Sequence, residues 1–192
     1  SSILLTLFTL GLDSGIAIAI TEHKDDHRLL SKYFSSSLFT TVVMSIIIGF
    51  LSLIILQIFD VRIFTSHFWI HVLLYSIFWS IQYIIFNFIR WTGNAKVAAF
   101  ILFVGNSLGF ILGFLNLKIS GGGSIYLFLH GLIASQILTA IVSLYVSKHF
   151  LTLSFFNGFY DNFRQLLRIS IPFVGSGFAN QIFKSLDRFF IL

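Results

Sequence analysis

Six apolar stretches divide this chain, and each is about as long as a membrane-spanning helix. They are approximately residues 2–20, 33–59, 67–89, 97–117, 125–146 and 170–192. A helix needs about 20 residues to cross a hydrocarbon core of ~30 Å. Only helices and closed β-barrels satisfy their backbone in lipid, and these stretches lack the alternation of barrel strands. The sequence therefore predicts an all-α integral membrane protein with about six transmembrane helices.

The composition supports the same class. Hydrophobic residues make up 57% of the 192 residues and charged residues only 10%, unlike an ordinary soluble domain. The formal net charge of +5 arises from bases spread between apolar stretches, which indicates membrane topology rather than nucleic-acid binding. The chain has no cysteine, which excludes disulfides and thiolate metal sites.

The basic residues of the connections lie mainly in alternate connections. The second and fourth connections hold only Arg62 and Lys118. The first, third and fifth hold eight: Lys24, Arg28, Lys32, Arg90, Lys96, Lys148, Arg164 and Arg168. The positive-inside rule places the second set in the cytoplasm. Because Ser1 and Leu192 lie inside apolar stretches, we also expect a fragment of a longer protein, with one further span before Ser1.

The first stretch contains a single carboxylate, Asp13, on the same predicted helical face as Thr6 and Thr9. Asp13 lies eight residues, or about 12 Å, from the expected cytoplasmic end at Thr21. Burying a carboxylate in the membrane costs at least ~2.5 kcal/mol. We therefore expect a functional role for Asp13. The alternative is a structural partner for a hydroxyl or a lysine.

The last stretch has one polar helical face. Counted from Gly177, its polar positions fall at steps of 3, 4, 7, 10 and 11: Asn180, Gln181, Lys184, Asp187 and Arg188. Such a face turns towards protein or water rather than lipid. We predict that these residues line a cavity.

The third stretch contains a second polar face, which includes His71, Tyr75 and Gln82, with Trp79 and Arg90 slightly further round. These residues could line a polar route. The alternative is that the rings near the ends of the stretch anchor it at the membrane surfaces.

Two histidine pairs have a metal-binding spacing of four residues, His23 with His27 and His67 with His71. A solvated turn explains the first pair better, and anchoring at the membrane interface explains the second pair better. No metal site is therefore predicted. The glycines at 121–123 lack the lysine of a phosphate-binding loop and follow no strand, which indicates an outer turn.

Small residues repeat in the fourth stretch as Gly105, Gly109 and Gly113. This spacing lets a neighbouring helix approach closely, and Asn106 and Asn116 could donate hydrogen bonds across that contact.

The connection 148–169 is amphipathic and predicts a helix on the cytoplasmic surface. Pro172 follows in the first turn of the last span, where its missing N–H does no harm. We expect residues 1–147 to belong to one lobe and residues 170–192 to begin a second.

The order of these features resembles a known family. It consists of GLDSG in the first span, FIRWTGNAK in an inner connection, GGGS in an outer turn and LLRISIPFVGSGFANQIFKSLDRFFIL at the end. This order is similar to the polysaccharide transporters and O-antigen flippases of the multidrug/oligosaccharidyl-lipid/polysaccharide exporter superfamily. The resemblance implies that residues 1–147 are helices two to six of a two-lobed transporter with 12 to 14 helices, and that residues 170–192 belong to helix seven.

The resemblance also implies a function. It suggests a multi-pass protein of the bacterial inner membrane that flips an undecaprenyl-pyrophosphate-linked oligosaccharide by alternating access. Its partners would be that substrate, membrane lipids, H⁺ or Na⁺ as coupling ion, and a polysaccharide polymerase. Cavity residues would come from around Asp13 and Lys184. No cofactor and no enzymatic activity are implied.

Three other classes of protein compete with the flippase. A cation-coupled multidrug exporter of the same superfamily should favour a net acidic cavity, whereas the last span offers Lys184 and Arg188 against Asp187. A membrane-embedded enzyme would need a convergent cluster of histidine and acids. A purely structural anchor would not need Asp13 or Lys184.

We expect a reporter fused after Lys24 or Arg164 to be cytoplasmic and one fused after Gly122 to be periplasmic, because basic connections stay inside. Alkaline phosphatase and green fluorescent protein fusions measure this. A cytoplasmic location of Gly122 would contradict the predicted orientation.

Overall fold

The computed structural model describes residues 8–58, 66–119, 121, 125–152 and 159–190. The helices, in chain order, are α1 (Leu12–Glu22), α2 (His27–Ile58), α3 (Ser66–Ile89), α4 (Ala95–Ile119), α5 (Ile125–Val146) and α6 (Phe159–Phe190). A π-helical turn, Arg90–Asn94, joins α3 to α4, and a short 3-10 helix, Lys148–Phe150, follows α5. These residues include no strand, so the predicted all-α class is confirmed.

Three of the described stretches are long and apolar enough to cross a membrane: His27–Ile55, Phe68–Ile119 and Ile125–Val146. The second has 52 residues and contains both α3 and α4. Large apolar side chains on these helices remain uncovered, such as Phe103 at 71% exposure and Phe114 at 63%. Water would not tolerate this apolar surface, whereas lipid does. The chain is therefore a multi-pass membrane protein.

The first span is not the continuous helix that its apolar pattern predicted. Leu10 and Gly11 have φ values of 48° and 68°, and the helical conformation is interrupted between Thr9 and Leu12. An L-residue such as Leu10 rarely adopts a positive φ. Because the break intervenes, Thr9 and Asp13 do not share the face of one helix as the sequence suggested; Thr6 lies outside the described residues.

The turn Arg90–Asn94 reverses the chain between α3 and α4, with Gly93 at φ 96°, a value that glycine adopts readily. At the ends of the helices that lie opposite this turn, His130 of α5 contacts His71 of α3. At the same ends, the Asn116 side chain of α4 donates to the carbonyl of Leu127 in α5. α3 and α5 are therefore parallel, and α4 is antiparallel to both. This arrangement places the basic connections at one end, in agreement with their alternation in the sequence.

The buried core joins α1, α2, α3 and α6 near the end that carries the basic connections. Its largest side chains include Phe34 and Phe88, whose stacked rings lie 4.1 Å apart between centroids. Phe150 of the 3-10 helix packs edge-on against Phe88 at 4.9 Å. Leu166 of α6 is 1% exposed in the same core. The segment after α5 is thus packed onto α2 and α3.

The glycines of α4 form a close helix contact with α5. A Cβ atom at Gly105 or Gly109 would overlap Thr139 or Ser135 of α5, and one at Gly113 would meet the Phe128 ring at 2.6 Å. From the other side, a Cβ atom at Gly131 would overlap the backbone of Gly113. The predicted packing role of the α4 glycines is confirmed. Asn106, predicted as a donor, instead accepts from the Gln136 side chain at 3.2 Å.

The predicted surface helix and last span form one helix, α6, with Pro172 in its interior. Pro172 therefore does not lie in a first turn, and the carbonyl of Arg168 lacks the N–H that residue 172 would normally donate. On the predicted apolar face Leu166 is buried, whereas Tyr160 is 70% exposed. The division of the chain into two lobes stays a prediction.

Replacing Gly131 by alanine should destabilise the protein by about 1–3 kcal/mol, because the new methyl group overlaps the α4 backbone, which cannot rotate aside. The matched control is Gly49→Ala, whose Cβ would have only an ordinary contact with Ile77, at 3.8 Å. Thermal unfolding in detergent, followed by size-exclusion chromatography, measures the difference. Equal melting temperatures for the two variants would contradict the close α4–α5 contact.

Candidate functional site

Asp13 lies in the first turn of α1, directly after the break in the first span. The carbonyl of Gly11 accepts hydrogen bonds from the N–H groups of Ser14 and Gly15, at 3.0 and 3.2 Å. A helix begins with unsatisfied N–H groups and a partial positive charge, which favour an acidic side chain at this position. The break therefore creates a local environment suited to a carboxylate within an apolar span.

Tyr83 of α3 connects this carboxylate to the next span. Its hydroxyl donates to Oδ2 of Asp13 over a long distance of 3.5 Å. Tyr83 and Asp13 are both half-buried. Tyr83 is six residues, or about 9 Å, from the C-terminal end of α3. Asp13 is nine residues, or about 14 Å, from the C-terminal end of α1. Both residues thus lie in the half of the membrane nearest to the basic connections.

Two further polar residues follow Tyr83 on α3. The Asn87 amide donates to the carbonyl of Tyr83 at 3.1 Å. The charge of Arg90 acts on both Asp13 and Tyr83. Its guanidinium lies over the rings of Trp91 and Phe86, with distances to the centroids of 5.0 and 5.7 Å. We call Asp13, Tyr83, Asn87 and Arg90 the Asp13 cluster.

The sequence analysis missed Tyr83 and Asn87. The spacing of Tyr83, Asn87 and Arg90 is i, i+4 and i+7, which places them on one face of a helix. The predicted polar face of the third stretch was centred one residue away, on Gln82. Pairing the residues of α3 with Asp13 would have required knowledge of how α1 packs against α3.

The other members of the predicted α3 face have separate surroundings. Gln82 is 1% exposed, and its Oε1 has no hydrogen-bond partner among the described residues. Tyr75 packs against Trp79, with ring centroids 5.7 Å apart. His71 pairs with His130 of α5. Of the predicted site residues on α3, the structure brings only Arg90 into the electrostatic environment of Asp13.

The predicted polar face of the last span cannot be compared with the structure. The helical backbone of α6 includes these positions, but the side chains of Asn180, Gln181, Lys184, Asp187 and Arg188 lie outside the described residues. Their assignment to a cavity stays a prediction.

The turn between α1 and α2 has a structural role. Oδ1 of Asp26 accepts the N–H of Leu29 at 2.9 Å, which is typical of a helix N-cap. His27 stacks on Phe150, with centroids 4.3 Å apart. Residues 23–26 are not helical, so His23 and His27 do not lie one helical turn apart. The described residues contain no group of three or more His, Cys, Asp or Glu arranged to bind a metal.

The Asp13 cluster brings together the kinds of side chain that accept a proton or coordinate a small cation. It offers one carboxylate, a hydroxyl, an amide and a balancing guanidinium, all attached to membrane-spanning helices or their ends. An ionisable group at such a depth indicates a role in an ion or substrate pathway. The four side chains provide no evident arrangement of an activated nucleophile with its base.

The family comparison covers the whole chain. A family model described as "Polysaccharide biosynthesis protein" matches residues 1–192. Searches of curated proteins and of solved structures returned no match. The match agrees with the multi-pass helical fold and with the order of motifs along the sequence. The chain therefore belongs to the polysaccharide biosynthesis protein family, the family of polysaccharide transporters and O-antigen flippases.

Proposed function

We propose that this protein moves an undecaprenyl-pyrophosphate-linked oligosaccharide, the repeat unit of an O-antigen or a related polysaccharide, across the bacterial inner membrane by alternating access. Sugars and pyrophosphate cannot cross hydrocarbon unaided, so a transporter must offer them a hydrated cavity while the lipid tail stays in the bilayer. The protein then changes no covalent bond and is not an enzyme. Family membership supports a transporter of polysaccharide precursors.

The observation that carries this proposal is the placement of Asp13 at a break in the helical conformation of the first apolar stretch. Irregular backbone at membrane depth is tolerated where protein covers it or where it lines a cavity. In secondary transporters, such broken helices contribute to substrate and ion sites near the midplane. A passive membrane anchor needs neither the break nor the carboxylate.

In this proposal the Asp13 cluster is the ion-coupling site. The carboxylate takes up H⁺ or Na⁺ in one state and releases it in the other. The Tyr83 hydroxyl orients the carboxylate from α3. Arg90 is exposed and supplies a positive charge that partly balances Asp13. Coupling follows if the affinity of Asp13 for the cation differs between the two states, because a ligand shifts an equilibrium only through differential affinity.

The cargo contacts in this proposal come from the polar face of the last span. Lys184 and Arg188 are cationic and suit the pyrophosphate, while Asn180, Gln181 and Asp187 suit sugar hydroxyls. Lys184 lies 14 residues, or about 21 Å, after Ser170 along a straight helix. Because Ser170 packs against Gly11 and Gly15, about 10–16 Å from the cytoplasmic end of α1, both cations lie towards the far surface of a ~30 Å core. Arg188, four residues further along the helix, is the better placed of the two to snorkel. We therefore assign the pyrophosphate contact to Lys184.

A cation-coupled multidrug exporter of the same superfamily is the alternative. The half-buried Asp13 carboxylate favours it, since such a site can couple transport to a cation. Arg90 opposes it, because a nearby guanidinium weakens the attraction for a cationic drug. Loss of surface polysaccharide in a deletion strain, without increased drug sensitivity, would distinguish the flippase from the exporter.

We expect Asp13→Asn in the full-length protein to abolish surface polysaccharide while protein levels stay near those of the unmodified protein. The amide keeps the shape of the side chain but cannot bind a proton or Na⁺ at neutral pH. Immunoblots of surface polysaccharide in a complemented deletion strain measure this. A parallel loss of protein would indicate a structural role instead.

Two conservative changes on α3 test the link between Tyr83 and Asp13, one as the test and one as its control. Tyr83→Phe removes the hydroxyl that reaches Asp13 and should lower export only a few-fold, because the hydrogen bond is long. Tyr75→Phe changes a residue that packs against Trp79 instead and should leave export unchanged. Equal effects of the two substitutions would contradict the link between Tyr83 and Asp13.

We expect Lys184→Ala to remove transport and Lys184→Arg to keep much of it, because the arginine preserves the charge that contacts the pyrophosphate. Arg188→Ala should have a milder effect, since this side chain reaches the membrane surface. The same export assay measures all three variants. Full export by a stably expressed Lys184→Ala protein would refute the assignment.

A further inference from the structure

Two histidines from different helices meet at the end of the bundle opposite Arg90. Nε2 of His71 in α3 lies 2.6 Å from Nε2 of His130 in α5, and their ring centroids are 4.6 Å apart. His130 is exposed and His71 half-buried. The ring of Tyr126 flanks His71 at 5.6 Å. The pair is thus accessible from outside the bundle, with an aromatic ring on one side.

We propose that His71 and His130 bind a divalent transition-metal ion such as Zn²⁺. Neutral imidazole nitrogen is the commonest protein ligand for such ions. Zn–N bonds of about 2.0–2.1 Å at a tetrahedral angle separate the two nitrogens by about 3.3 Å. The observed 2.6 Å would have to widen by about 0.7 Å, which small side-chain rotations provide. Water molecules can complete the coordination, because the pair is accessible.

The helices hold the two rings near each other before any metal binds. α5 is fixed to α4 beside His130 by the contact of Gly131 with the Gly113 backbone and by the hydrogen bond from Asn116 to Leu127. α3 packs extensively against α5. A site assembled in advance loses less conformational entropy when the ligand binds. In the metal-free pair the Nε2–H of one ring donates to Nε2 of the other. When the metal binds, that proton would move to Nδ1 of its own ring, so that both Nε2 atoms present a lone pair to the metal.

The sequence alone could not indicate this site. It suggested His67 with His71, four residues apart, as a pair within one helix. His130 is 59 residues from His71, and only the parallel packing of α3 and α5 brings their rings together. The proposal does not depend on the transported substrate, and its test requires no transport assay.

The test is Zn²⁺ binding to the purified full-length protein in detergent, with any polyhistidine tag removed. Isothermal titration should show saturable binding, and the melting temperature should rise with Zn²⁺ and return when EDTA is added, because a ligand of the folded state stabilises it. His71→Ala and His130→Ala should each weaken binding at least tenfold. Cu²⁺ used as a spectroscopic probe should show nitrogen coordination that either substitution reduces.

Two controls make the outcome decisive. His23→Ala and His149→Ala alter histidines near the basic connections and should leave Zn²⁺ affinity unchanged. Unchanged affinity for Zn²⁺ in a folded His130→Ala protein would overturn the proposal, because the metal would then bind without the ligand from α5. Loss of binding only in His23→Ala, or no saturable binding by the unmodified protein, would overturn it as well.

Discussion

The need to satisfy every backbone hydrogen bond without water determines the form of this protein. In lipid an unpaired N–H or carbonyl costs several kcal/mol, so the apolar stretches become helices. The break at Leu10 and Gly11 can exist in the first span because protein covers it. A Cβ atom at Gly11 would lie 2.8 Å from the carbonyl oxygen of Ser170, and one at Gly15 would overlap the Ser170 side chain. The site at Asp13 therefore depends on the packing of α6 against α1.

Outside the apolar core around Phe34 and Phe88, helix association in this bundle relies on small and polar residues rather than on large apolar ones. α4 and α5 meet through glycines, Thr139 and Ser135. α2 buries a row of hydroxyls that lack a hydrogen-bond partner within the described structure: Ser36, Ser37, Thr40, Thr41 and Ser45. Since lipid is as apolar as leucine, large apolar side chains gain little from facing another helix. They face lipid instead, as the exposure of Phe100 and Phe103 shows.

The sequence predicted those features that depend on local composition. The length of the apolar stretches predicted the helices. The spacing of Gly105, Gly109 and Gly113 predicted a packing surface, which the structure confirms. Features that depend on contacts distant in sequence were not predictable. The break at Gly11 is packed against Ser170, and Tyr83 and His130 contact Asp13 and His71, which lie on other helices. The prediction for Asp13 required only its position in an apolar stretch, whereas its partners required the fold.

The continuity of α6 has a mechanical consequence. Its first half is attached to α2 by the hydrogen bond that the Tyr33 hydroxyl donates to Oε1 of Gln165, at 2.8 Å, and to the buried core by Leu166. Beyond Pro172 the helix continues as a single rod, and the proline removes one backbone hydrogen bond at that point. Bending therefore costs least near Pro172, which makes the proline a pivot. A tilt of the distal half would displace Val174, which lies 3.4 Å from the position of a Cβ atom at Gly11, and would thereby act on the break beside Asp13.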